Sequence, residues 1–142
     1  MTLDLGRLMD RSEEIWESSI LPSLSDFIGI KALSPLFEPN WAEIGELDAA
    51  IDLFCEWLDN QGIEGMSYEK HRRGELSPVL IVTIEGTGPG EVIFYSHLDK
   101  QPSKPELWSE GLHPLKAVRR DPWLYGRGSV DDGSGGLSLI HI

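Results

Sequence analysis

Cysteine is almost absent from this 142-residue sequence. The single Cys55 excludes an internal disulfide, and its place in a helical apolar pattern makes it a buried small hydrophobe rather than a nucleophile or zinc ligand. Basic residues are scarce as well. Twelve Lys and Arg face 24 Asp and Glu, for a net charge of −12. That balance argues against nucleic acid or an anionic membrane as partner, because phosphate binding needs a basic surface. No apolar run approaches a membrane span, and the segment from Met1 to Arg7 lacks the basic region and apolar core of a signal peptide, so a cytoplasmic location is expected. Repeats, low-complexity tracts and interdomain linkers are missing too. What remains, 40% apolar content with five tryptophans and 25% charge, is a soluble globular composition at a length that suits one domain.

The first half reads as helical. Leu8, Ile15, Trp16, Ile20, Leu24, Phe27 and Ile28 recur at helical intervals from about Met9 to Ile28, with Pro22 expected to split the run into two pieces. Lys31 to Asn40, with Pro35 and Pro39, reads as a loop. Asn40 with Glu43 three residues later looks like an amino-terminal cap for a helix carrying Ile44, Leu47, Ile51, Phe54 and Leu58, closed by Gly62 in the left-handed position. Strand patterns follow at Gly65 to Arg72, at Pro78 to Glu85, and in the apolar run that ends at His97. Leu115 to Val118 and Trp123 to Tyr125 read as a hairpin around Arg119 to Pro122. Continuous apolar character in the two strands before His97 predicts a sheet covered on both faces. The expected fold class is therefore α/β, helices followed by a mixed sheet, with functional groups at the carboxyl ends of strands.

Two segments carry chemistry. In Val92-Ile93-Phe94-Tyr95-Ser96-His97-Leu98-Asp99, the histidine and aspartate are two apart, hence on one face of an extended chain. Asp99 is then placed to take one ring N–H of His97 and turn the other nitrogen outward, as for a metal-ligating histidine. About thirty residues later, Leu124-Tyr125-Gly126-Arg127-Gly128-Ser129-Val130-Asp131-Asp132-Gly133 delivers a pair of carboxylates after a glycine-rich turn. His71 and His113 lack carboxylate partners at such spacing and read as surface histidines; His141 is given no weight. Competing motifs fail. Gly126-x-Gly128 lacks the third glycine of a dinucleotide loop, Gly86 to Gly90 lacks the Gly-Lys-Ser/Thr ending of a phosphate loop, and Ser134 lacks the first glycine of a nucleophile elbow.

Together, His97-Leu98-Asp99-Lys100-Gln101-Pro102, Trp108 to Pro114, and Tyr125-Gly126-Arg127-Gly128 followed by Asp131-Asp132 resemble the dinuclear zinc metallopeptidase family M-twenty. That family contains glutamate carboxypeptidases, carnosinase-type dipeptidases, aminoacylases, and acetylornithine and succinyl-diaminopimelate deacylases. The resemblance implies the amino-terminal part of a zinc-exopeptidase-like catalytic domain that hydrolyses a small peptide or N-acyl amino acid. It implies two divalent metal ions, Zn2+ foremost with Co2+ or Mn2+ as alternatives. His97 would hold one ion and Asp131 would bridge both, Asp99 would be the catalytic-site residue behind His97, and the Asp131–Asp132 peptide bond would be cis. Arg127 is expected to be structural. Gly133 and Ser134 depart from the family pattern, in which many members carry lysine after the paired aspartates. The general-base glutamate, the remaining ligands and a second, commonly dimerising domain belong to parts of the family pattern after the second motif, so the chain itself is expected to be inactive. Residues 1–136 are assigned to the catalytic domain. Residues 137–142, Leu-Ser-Leu-Ile-His-Ile, are expected to be a read-through tail, because the codons that encode them resemble a sequencing-adapter end; a natural start to the next helix is the alternative. A catalytically silent binding or structural relative is the alternative function.

Overall fold

A computed structural model describes residues 4–140. His141 and Ile142 of the expected tail lie outside the described residues, as do residues 1–3.

Helix α1 (Leu5–Ile15) starts at Asp4, whose carboxylate accepts the Arg7 N–H, and runs without a chain break through a π-helical turn (Trp16–Ile20) into α2 (Leu21–Gly29). The expected break at Pro22 is thus a change of register. Leu21 N–H bonds five residues back to Trp16 O, and Pro22 sits in the first turn of α2, where its missing N–H is tolerated. The single helix expected after Asn40 is two helices, α3 (Trp41–Ile44) and α4 (Glu46–Asp59). Gly45 at φ 77° ends the first and starts the second, and the Asn40 side chain makes no capping bond. Gly62 is left-handed, as expected, just beyond α4.

The buried faces of α2 and α4 make the core. Leu24, Phe27 and Ile28 meet Leu47, Ala50, Phe54, Trp57 and Leu58, with Phe27 and Phe54 packed edge to face at 6.1 Å. Cys55 is buried on α4. A last helix, α5 (Gly133–Leu139), brings Leu137 into the same core and runs across the expected boundary at Gly136. Among the described residues no helix is long and apolar enough to cross a membrane.

Helices followed by strands are observed, so the α/β class stands. Its sheets are two separate antiparallel pairs: β1 (Met66–His71) with β2 (Val79–Ile84), in register from Met66 opposite Ile84 to His71 opposite Val79, and β3 (Val118–Arg120) with β4 (Trp123–Tyr125). The run from Val92 to Leu98 corrects the expectation of a doubly covered sheet. Among the described residues it pairs with no strand, and Val92, Ile93, Phe94 and Tyr95 are exposed, Ile93 at 89%. An apolar β-branched run states what a strand needs to bury, but strand pairing is a non-local event, and the free edge of β2 is not brought alongside this run. Among the described residues its one backbone bridge is at Lys100, a parallel bridge to Leu33 made by Lys100 N–H to Ala32 O (2.8 Å) and Ser34 N–H to Lys100 O (3.1 Å).

Candidate metal centre

The bridge at Leu33 anchors the end of the first motif against the exit of α2, and the anchor is strengthened by a side chain that sequence reasoning passed over. Lys100 is 2% exposed. Its ammonium donates to Phe27 O (2.6 Å), Ile30 O (2.6 Å) and Ile28 O (3.4 Å), and lies 4.0 Å from the Phe27 ring centre. The last carbonyls of a helix have no partner within it, and a cation there also meets the negative end of the helix dipole. Burial pushes the Lys100 pKa down to about 8, with nearby Arg127 adding to the fall against an opposing pull from Glu46. The signal available beforehand was only a lysine three residues after His97, which nothing local distinguishes from a surface lysine.

The second motif is fitted onto the same helix end by its glycines. A Cβ on Gly126 would stand 2.6 Å from the Ile28 side chain, one on Gly128 2.8 Å from Lys100 Cε, and one on Gly133 2.5 Å from the Phe27 ring and 2.6 Å from Gly128 O. Real Cβ atoms do not approach that closely, so the chain lies against α2 only because those positions lack side chains. Gly133, the departure from the family's lysine, is therefore required by packing against Phe27. The Asp131–Asp132 peptide bond is cis.

These two anchored segments place His97 between carboxylates. Nδ1 lies 3.0 Å from Asp99 O and 3.2 Å from Asp99 Oδ1, while Nε2 lies 3.1 Å from Asp131 Oδ1. Asp132, not chosen from the sequence, points its carboxylate the other way: Oδ2 accepts the His97 backbone N–H at 3.3 Å, and Ser96 Oγ donates to Asp132 O at 3.4 Å. Asp132 thus positions the histidine backbone and Asp131 faces its ring. Asp131 is largely exposed, His97 and Asp99 half-buried. A neutral imidazole has one N–H, yet acceptors face both ring nitrogens; the second interaction is satisfied only when Nε2 also carries a proton or a metal cation. Burial of the ring opposes its charge, but the Asp99 carbonyl and carboxylate and the Asp131 carboxylate outweigh it, so the His97 pKa is raised.

The donor types and spacing fit a divalent ion. Two ligands each about 2.0–2.2 Å from a tetrahedral zinc are roughly 3.3–3.6 Å apart, so the 3.1 Å between Nε2 and Asp131 Oδ1 needs to open by only a few tenths of an ångström. Among the described residues no group of three or more His, Cys, Asp or Glu is arranged to hold a metal, so these two donors make a partial site. His71 and His113 stand apart from it and are exposed, as expected, but His71 does have a carboxylate partner at two-residue spacing, Glu69 at 3.0 Å, while the His113 ring accepts the Leu115 N–H.

Residues 93–142 match the family model described as Peptidase family M20/M25/M40. Both motifs and every residue of the candidate centre fall inside the matched stretch. The matched stretch is about a third of the chain, and within it the sequence is similar to that peptidase family. No curated protein matches it.

Proposed function

We propose that this chain carries part of the metal centre of a dinuclear zinc hydrolase acting on peptide or N-acyl amide bonds of small substrates, and that the 142-residue chain by itself turns over none. The observation that carries the reading is the Nε2 to Asp131 Oδ1 approach at 3.1 Å, with Asp99 holding the opposite ring nitrogen. Nε2 of His97 and the Asp131 carboxylate would be the donors. Asp99 fixes the ring's orientation and keeps Nδ1 protonated, which leaves Nε2 as the coordinating atom. Asp132 holds the His97 backbone so that the ring is presented toward Asp131. When bound, the metal would supply Lewis acidity that polarises an amide carbonyl and lowers the pKa of water.

A catalytic zinc has three protein ligands as a rule, and two donors forfeit much of the coordination energy. Zinc titration of the chain, followed by the His97 ring resonances, is expected to give saturable but weak binding, with a dissociation constant of about a micromolar or above. His97→Ala and Asp131→Ala should each abolish it. A His97 ring that ignores zinc refutes the metal centre. Sub-micromolar affinity, or turnover of any dipeptide or N-acyl amino acid lost in His97→Ala, refutes the partial site and shows a complete one within these residues.

A further inference from the structure

Arg127 stands between the two glycines pressed against α2, and its own backbone N–H is fixed by a 2.7 Å bond to Pro114 O. Its side chain lines a cavity of about 260 Å³ together with Lys31, Leu33, Gln101, Ser103 and Leu115. The cavity shares no lining residue with the His97 and Asp131 pair.

The chemistry of this cavity runs against that of the chain. In a protein with a net charge of −12, two cations line one small space and no carboxylate does. Neither the Arg127 nor the Lys31 side chain has a hydrogen-bond or ion-pair partner among the described residues, and Arg127 Nε is buried as well as unpartnered. A guanidinium does not escape this by losing its proton, since it stays charged throughout the accessible pH range. A buried N–H without an acceptor costs about 1–3 kcal/mol, more on a charged group, and buried polar groups of native proteins are satisfied as a rule. The unmet need is for an acceptor with negative charge.

We propose that this cavity binds a small oxyanion, a carboxylate or a phosphate, on Arg127 and Lys31. The Nη–H groups of Arg127, which unlike Nε are not fully buried, present planar donors to the oxygens of such an anion. Lys31 adds a second charge, and Gln101 and Ser103 supply neutral donors. The volume lies below that of cavities for drug-sized ligands, which limits the anion to a few heavy atoms. The proposal does not depend on the metal reading.

The test follows the Arg127 Nε–H resonance of the full 142-residue chain, identified by its loss in Arg127→Lys, through titrations with sodium phosphate, sodium acetate and sodium chloride at constant ionic strength. The expected result is a saturable shift with phosphate or acetate and none with chloride, weakened about tenfold in Lys31→Gln, where an exposed charge is removed without disturbing the core. Saturation by acetate alone identifies a carboxylate site, and by phosphate alone a phosphate site. The same unsaturating drift with all three salts overturns the proposal, and so does an affinity unchanged in Lys31→Gln.

Discussion

Replacing Lys100 with methionine tests how the first motif is held, because the change keeps the apolar stem and removes the charge. Two short hydrogen bonds and one long one to the carbonyls of Phe27, Ile30 and Ile28 are lost. Hydrogen bonds of a neutral amine contribute about 0.5–1.5 kcal/mol each, so their loss costs roughly 2–4 kcal/mol. Against that, the variant no longer buries an ammonium. A pKa lowered from 10.5 to about 8 means that the fold disfavours the charged form relative to the neutral amine, by about 3 kcal/mol at 1.36 kcal/mol per unit. The two nearly cancel, so Lys100→Met should change stability by no more than about 1 kcal/mol near neutral pH. The pH dependence separates the two effects. The folded-state pKa lies below the unfolded one, so between pH 8 and 10.5 the unfolded chain binds more protons and wild-type stability rises with pH through this group. Methionine has no such contribution. Urea unfolding of both proteins, followed by circular dichroism, should show the wild-type advantage widening by about 3 kcal/mol from pH 7 to pH 10.5, with other titrations cancelling in the difference. A gap that stays flat or narrows would mean that the three carbonyls fully compensate the buried charge, and the reasoning fails.

Gly133→Ala should lower stability by about 1–3 kcal/mol by driving a Cβ into the Phe27 ring. Gly29→Ala, where a Cβ meets nothing within 4 Å, should be neutral or slightly stabilising; equal losses in thermal melts of the two variants would contradict the packing account. The exposed run from Val92 to Tyr95 should make the chain self-associate at high concentration, and Ile93→Lys, at an 89% exposed position, should suppress this in sedimentation velocity. An unchanged distribution would show that the run is not the contact.

The residues of the candidate centre were legible from the sequence because their relations are short-range or patterned. His97 and Asp99 share a face through two-residue spacing, and the resemblance singled out Asp131 over Asp132; the structure brings all three together. The hairpin at β3 and β4 and the helical runs of α2 and α4 were legible for the same reason, since turn residues and apolar periods act over a few residues. Tertiary structure alone decided the rest. Lys100 becomes a helix cap because Phe27, some seventy residues earlier, ends a helix beside it. Asp132 becomes the holder of the His97 backbone only once the two motifs meet. Gly126, Gly128 and Gly133 are glycines because α2 passes within a methyl's breadth of them, a constraint no local window contains. The run before His97 carries every local mark of a strand and is not one, since a strand exists only when another segment offers its hydrogen bonds.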